Sequence, residues 1–403
     1  MSAQNARTDV RRWLTENFPP DWISAIDNGD DAAFQQAREA SDLAALLRSL
    51  GEAGWITPQW KPEYGGRGLD QAAARLVAEE LKRCRVPRQF NVIGLAMAAP
   101  TLLEWGTEEQ KRHYLPELAR YAHRWCQLFS EPGAGSDLAG LATRATREGD
   151  TWRISGQKVW SSMAHDSTHG LLLARTNPGA PKHQGITYFI VDMSAPGVDV
   201  RPLRQITGDA EFNEVFLDNV TIPDDQRIGP VDGGWAVAIT TLMNERSALS
   251  GAGSVSGSSI GGMNADAVLW FGVARGAWQD PVLRQELARV VIDSRLIRAG
   301  NDRAAAARRD GVPGPEGSIT KLMAAEHNKR VQSLVVAVLG PAAIAWDDEE
   351  TDRHVRGFLR AQANTIEGGT SEIMRNVIAD RVLGLPRDED PSRKMAWAEV
   401  PRA

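Results

Sequence analysis

The sequence predicts an α+β fold, mainly α, in the order helix, β, helix. Three observations carry this. Residues 1 to about 120 hold few β-branched residues and repeat apolar side chains three and four positions apart. From about Trp125 to Pro230 the texture turns to short alternating runs between Gly, Pro and Asp clusters. Helical periodicity returns at about Gly234 and lasts until Leu385. The divisions follow as a helical region 1–124, a β region 125–232, a helical region 233–388 and a tail 389–403.

In the first region, Asp42–Ala53, Gln71–Arg83 and Glu108–Ala119 each carry the spacing of a one-sided helix. Thr107 followed by Glu108, Glu109 and Gln110 is an N-cap with its capping-box partner, which starts a helix there. Pro116 lacks an N–H and is expected to kink or shorten that helix. The β region contains TWRISGQKVW (151–160), HGLLLARTN (169–177), ITYFIVDMS (186–194) and GVDVRPL (197–203). In the third region, ITTLMNERSAL (239–249) and the segments 283–309 and 319–339 are helical. Between them Ser250–Gly262 has five glycines among serines, so it reads as a flexible or inserted loop. A dinucleotide-binding glycine loop would follow a strand, whereas an apparent helix precedes this one. The last eighteen residues are polar, contain three prolines and predict a loose tail.

Composition excludes several classes of function. The 403 residues carry 46 Lys+Arg against 52 Asp+Glu, a net charge of −6 that offers no basic excess for a nucleic acid or an anionic membrane surface. The most apolar stretch, Leu334–Trp346, is interrupted by Gly-Pro and is too short to span a bilayer. No apolar run follows the arginines near the N-terminus, so a secretory signal is not expected and the cytoplasm is the predicted location. Cys84 and Cys126 read as buried free thiols, and the seven histidines lack metal-ligand spacing, so no metal is expected. Most of the thirteen tryptophans fall on apolar faces and read as core or interface residues.

The chemically informative stretch is CQLFSEPGAGSDLAGL (126–141), followed by GQKVWSSMA (156–164). Gly133 and Gly135 let backbone N–H groups approach an anionic ligand closely. Together with WKPEYGGRGL (60–69), EWGTEEQKRHYLPELA (104–119), FNEVFLDNVTIP (212–223) and IEGGTSEIMRNVIADRVLGLPR (366–387), the pattern resembles the acyl-CoA dehydrogenase family over nearly the whole chain. The resemblance implies a helical N-terminal domain, a central β-barrel-like domain and a C-terminal four-helix bundle. FAD is expected between these domains and across a subunit interface. The implied reaction is α,β-dehydrogenation of an acyl-CoA thioester in fatty acid or lipid metabolism, of the β-oxidation type. A glutamate takes the α-proton, flavin N5 takes the β-hydride, and electrons pass to an electron-transferring flavoprotein. A homodimer or homotetramer is expected, with a heterotetramer as the alternative.

Matching residue by residue, the resemblance places Phe129 and Ser130 beside the flavin ring, with Gly135 and Ser136 near the pyrophosphate and the substrate's pantetheine. Trp160 flanks the flavin, and Ser162 stands where the family commonly has a threonine bonded to N5. Gln285, Thr370 and Glu372 match further FAD contacts. Arg275 stands in for a missing interface segment, while Ala337 and Pro341 depart from the family pattern. For the base, a gapless match on Gly369-Thr370 puts Gly368 where many members carry the glutamate, and Glu367 is displaced by one residue. Glu245, beside Arg246, matches the alternative position on the first helix of the C-terminal bundle. If Thr241, Leu242, Ala248 and Leu249 form the buried stripe, Glu245 faces inward between Thr241 and Leu249. The Gly368 N–H is expected to polarise the thioester carbonyl, with Gly369 and Arg246 also at the substrate. Two rival readings are a non-catalytic subunit of a heteromeric assembly and an oxidase of the same fold.

Overall fold

The computed structural model describes residues 3–87, 91–249, 263–309, 316–387 and 390–401. The chain opens with α1 (Ala3–Asn17), α2 (Pro20–Asn28), α3 (Asp31–Glu39), α4 (Leu43–Glu52), α5 (Gln71–Arg83), α6 (Ala99–Trp105) and α7 (Glu108–Ala119). Short polar side chains set their starts. Asp30, Asp42 and Asp70 accept the N–H three residues on, and Thr107 forms the expected capping box with Gln110. Pro116 does not shorten α7, which runs on to Ala119. Trp22 centres the first core, its ring edge-on to Phe18 and Phe34 and its indole N–H donating to the Cys84 carbonyl at 2.9 Å. Between α1 and α5, the buried Glu80 accepts from Arg7 and Arg11 of α1 and from Arg83 of its own helix. Burial pushes its carboxyl up, but the Arg11 and Arg83 guanidinium groups overcome this and hold it at about 2.

The central region comprises β1 (Trp125–Leu128), β2 (Arg144–Glu148), β3 (Thr151–Ser162), β4 (His169–Arg175), β5 (Ile186–Asp192), β6 (Val198–Leu203), β7 (Phe212–Pro223) and β8 (Arg227–Ile228). They form one eight-stranded sheet in the order β6-β7-β3-β2-β4-β5-β8, with β1 added parallel to β4. Side chains of β4 and β5 are buried on both faces, which explains their unbroken apolar runs. Leu171, Leu173, Tyr188 and Ile190 pack towards the N-terminal helices, while Leu172, Ala174, Phe189 and Val191 pack on the far side with Trp152 and Val215. The long β3–β7 ribbon is bulged twice, between Ile154 and Gly156 and between Lys158 and Ser161.

The remaining helices are α8 (Gly234–Leu249), α9 (Ala265–Ala274), α10 (Pro281–Arg309), α11 (Glu316–Leu339), α12 (Ala342–Ala345), α13 (Glu349–Ala361) and α14 (Ser371–Arg381). Phe271, Leu287, Val290, Val331 and Val335 form their shared core. The glycine-rich stretch Ser250–Gly262 lies outside the described residues. The expected loose tail is instead docked on the sheet domain. Trp397 N–H donates to the Ala180 carbonyl at 2.8 Å, Ala398 N–H to the Pro178 carbonyl at 3.0 Å, and the Trp397 indole to the Gly140 carbonyl at 3.2 Å. Sequence polarity concealed this because the contact is made by backbone groups and one aromatic ring.

His169, at the start of β4, lies stacked on Trp125 and 4.3 Å from the His123 ring, with Tyr114 and His113 of α7 completing the cluster. Burial, and then the neighbouring His123, push its imidazole down to about 4; Asp192 opposes them weakly. Folding therefore favours the neutral ring, and stability from this group, present above the unfolded value of about 6.5, is lost as pH falls towards 4. Thermal midpoints should drop across that window, and His169→Gln should flatten the drop; an unchanged pH profile in the variant would contradict this.

Candidate active site

The SEPG loop is fixed from below by a buried ion pair. Lys158 on β3 is fully buried and donates to the Phe129 carbonyl at 3.0 Å and to Glu131 at 2.8 Å. Glu131 also accepts the N–H groups of Ala142 at 2.6 Å and Thr143 at 2.9 Å, which closes the loop on itself. Burial pushes the Glu131 carboxyl up, but the Lys158 ammonium and these hydrogen bonds leave it below the usual range. Above this clamp Gly133, Gly135 and Ser136 are exposed, and a Cβ on either glycine would meet nothing within 4 Å. Phe129 turns its ring into the core, edge-on to Tyr188 at 5.7 Å, so its backbone rather than its ring is available to a ligand. Ser130 accepts from the Val159 N–H at 2.9 Å, tying this strand end to the β3 bulge.

The bulge places Trp160 in the left-handed region at φ 60° with its side chain 61% exposed, edge-on to Phe212. Three residues on, Met163 is also left-handed at φ 54° and exposed. Each such residue costs on the order of 1–3 kcal/mol and persists only where its surroundings impose it. A large aromatic held open at that cost suits a flat ring system that covers it, as the flavin expectation requires. Ser162 follows at the end of β3, paired with Phe212 and half-buried.

Opposite stands the loop before α14. Gly368 and Gly369 both have left-handed backbones, at φ 62° and 96°, and neither N–H has a partner among the described residues. The buried Lys321 of α11 donates to the Asn364 carbonyl at 3.1 Å and the Gly369 carbonyl at 2.5 Å, which fixes this turn. Glu367 is fully engaged: Arg360 donates to it at 3.0 Å and Asn364 at 2.6 Å. Arg360 also donates to Glu211 at 2.7 Å, so one guanidinium joins the C-terminal loop to the segment leading into β7, whose Phe212 packs against Trp160. Thr370 caps α14 with its hydroxyl, and Glu372 is exposed beside Arg375. Gln285 is exposed on α10, and Arg275 is paired with Glu350.

Glu245 lies on α8 one turn beyond Thr241, on the face that buries Val237, Ala238 and Thr241. Thr241 hydrogen-bonds Thr101 at 2.8 Å and Tyr188 at 3.0 Å, which fixes the helix's rotation against α6 and β5. The half-buried Glu245 accepts from Gln127 of β1 at 3.4 Å, and so approaches the strand that leads into Phe129 and Ser130. The side chains of Arg246, Ala248 and Leu249, which belonged to the sequence expectation, lie outside the described ones. A different face of α8, that of Trp235, Ile239 and Met243, lines a cleft of about 480 Å³ together with His183, Arg381 and Arg393. Sequence reasoning missed Lys158, Arg360 and Gln127. Lys158 sits inside a quoted motif, and its burial was signalled only by strand alternation. Gln127 also sits inside a quoted motif, where nothing marks its reach to α8, and no pattern marks Arg360.

Sequence models of the acyl-CoA dehydrogenase N-terminal, middle and C-terminal domains match residues 2–122, 126–220 and 232–383. The chain is 37% identical over 386 residues to the acyl-CoA dehydrogenase IpdE1 of Mycobacterium tuberculosis, covering 95% of this chain and 97% of that protein. With the acyl-CoA dehydrogenase FadE34 of the same organism it shares 42% identity over 360 residues, 87% of this chain and 48% of the relative, so it spans about half of FadE34. Two solved structures superpose over 96% of this chain and 98% of their own. They are the Tcur3481-Tcur3483 steroid ACAD, at TM-score 0.73 and 28% identity, and the ChsE4-ChsE5 complex from Mycobacterium tuberculosis, at 0.71 and 26%.

Removing the buried ammonium leaves the Glu131 charge unpaired in the interior, so Lys158→Met should destabilise the protein by roughly 3–5 kcal/mol. Adding Glu131→Gln should recover part of the loss. Urea unfolding of both variants is the check, and a Lys158→Met midpoint equal to wild type would show that the clamp contributes nothing.

Proposed function

We propose, from the premise that the chain belongs to the acyl-CoA dehydrogenase family, that Glu245 is the base that takes the α-proton. The enzyme itself is an acyl-CoA dehydrogenase and an FAD flavoprotein. Bound FAD supplies the acceptor for the two electrons that leave with the β-hydride. Trp160, Ser162, Ser130 and the loop through Gly135 and Ser136 would hold it, with Thr370, Glu372 and Gln285 towards its nucleotide end.

One observation carries the assignment of the base. The loop position offers a left-handed glycine and a neighbouring Glu367 already held by Arg360 and Asn364, whereas Glu245 is a half-buried carboxylate on the inward side of α8. Substrate seated between α8 and the Gly368–Gly369 turn would present its α-carbon to Glu245. Its thioester carbonyl would accept from the turn's N–H groups, where developing enolate charge is stabilised by donors already in place. Arg246 is assigned to the substrate beside the base. Electrons then leave to an electron-transferring flavoprotein.

A partner chain is supported by the apolar surface of the C-terminal helices, where Trp270 is 73% exposed, Val282 69% and Ile292 57%, with Trp278 and Leu296 nearby in sequence. Both two-component neighbours, one of them a steroid ACAD, favour a heteromeric assembly as the second reading over a homodimer. Sedimentation of the chain alone distinguishes them: a stable homodimer with full flavin content supports the first, and a flavin-poor species completed by a homologous chain supports the second.

Glu245→Gln keeps the side chain's shape and removes its basicity. Anaerobic flavin bleaching by an acyl-CoA in a single turnover should slow by about 10²–10⁴ while FAD stays bound. Glu367→Gln should slow it far less. Normal bleaching in Glu245→Gln with collapse in Glu367→Gln would return the base to the C-terminal loop.

A further inference from the structure

The cleft beside α8 has two unlike walls. Trp235, Ile239 and Met243 make one side apolar, while Arg381 and Arg393 make the other cationic beside His183, whose imidazole burial pushes down towards the neutral form. Arg381 ends α14, whereas Arg393 comes from the segment after the helices, which the sequence predicted to be loose. That segment is built into the sheet domain. Besides the Trp397 and Ala398 hydrogen bonds, Ala396 bridges Pro181, and the Arg175 guanidinium lies 4.8 Å from the Trp397 ring centre. Arg175 is itself buried and donates to the Lys182 carbonyl at 2.8 Å and the Ala139 carbonyl at 2.6 Å. One guanidinium thus stitches together the end of the SEPG loop, the 178–184 loop and the docked segment. Lys182 adds an ion pair to Asp137 at 3.0 Å.

We infer that residues 391–401 form a wall of the substrate cleft and that Arg393, with Arg381, receives the phosphates of the thioester's nucleotide handle. The inference rests on the acyl-CoA reading above and goes beyond it in giving the docked segment a binding role. The cleft's 480 Å³ lies within the range of ligand sites and it adjoins the helix that carries Glu245. Neither Arg381 nor Arg393 has a carboxylate hydrogen bond among the described residues, while nearby Arg387 is held by both oxygens of Asp380. Guanidinium groups converging from two segments suit phosphate oxygens, which they bind through charge-assisted, often bidentate hydrogen bonds.

Calorimetric titration of the flavin-loaded protein with coenzyme A and with pantetheine, which shares the pantetheine arm and lacks the nucleotide phosphates, separates the parts of the ligand. Wild type should bind coenzyme A more tightly than pantetheine, and added salt should narrow the difference. Arg393→Gln should weaken coenzyme A about tenfold or more and leave pantetheine unchanged, since a hydrogen bond to a charged group contributes about 1.5–3 kcal/mol. Arg393→Lys should restore part of the loss, and Trp397→Ala, which undocks the segment, should reproduce it. Equal coenzyme A affinity in wild type and Arg393→Gln, an equal loss with both probes, or no binding of coenzyme A to wild type would overturn the inference. Tight coenzyme A binding by wild type that Arg393→Gln weakens selectively, without dehydrogenation by wild type, would support the inference and remove only the catalytic reading.

Discussion

The turn at Gly368–Gly369 constrains the rest of the site. Two successive left-handed residues are readily made by glycine, and a Cβ at 369 would also meet the Met374 side chain at 2.6 Å. Lys321 holds the turn from beneath through the Gly369 carbonyl, and Arg360 with Asn364 fastens the preceding Glu367. A carboxylate at 368 would sit in a strained backbone, and the one at 367 already has two partners. What the turn does offer is N–H groups. The proposed mechanism divides the labour accordingly: the loop would polarise the carbonyl, and the basic group would come from a different element, α8.

For that division to work, surfaces from three parts of the chain must keep fixed positions. Arg360 does this between the C-terminal loop and the segment entering β7, through Glu367 and Glu211. Lys158 does it between β3 and the SEPG loop, and Arg175 between that loop and the docked segment. All three are cations that donate to carbonyls or carboxylates, which makes those bonds directional as well as attractive, and Arg175 reaches the docked segment through the face of the Trp397 ring. Trp160, two residues after Lys158 on β3, has a left-handed backbone, and its ring faces outward instead of joining the core.

Much of this was legible in the sequence. The Thr107 capping box, the helix Gln71–Arg83 and the alternation in 169–192 are local patterns, and local physics settled them. The motif residues Ser130, Gly135, Trp160, Ser162, Gly368 and Glu245 could be named because a recurring pattern marks them. Pro116 does not shorten α7 because it lies near the helix end, which continues for three residues beyond it. Phe129 was assigned to the ligand by position, yet its ring points inward because its neighbour in space is Tyr188. Arg360, Gln127 and the docking of Trp397 were not legible at all. Their partners lie 149, 118 and 257 residues away in the chain, and one sequence carries no trace of such pairings.

The central claim is that proton abstraction belongs to α8. It is tested most directly with a saturated acyl-CoA analogue that carries sulfur in place of the β-carbon, which can lose an α-proton but has no β-hydride to give. Incubated with the enzyme in deuterium oxide, it reports proton abstraction alone, as deuterium gained at the α-carbon and read by mass spectrometry. Wild type and Glu367→Gln are expected to exchange at similar rates, with exchange abolished in Glu245→Gln. Exchange that persists in Glu245→Gln and vanishes in Glu367→Gln would contradict the account.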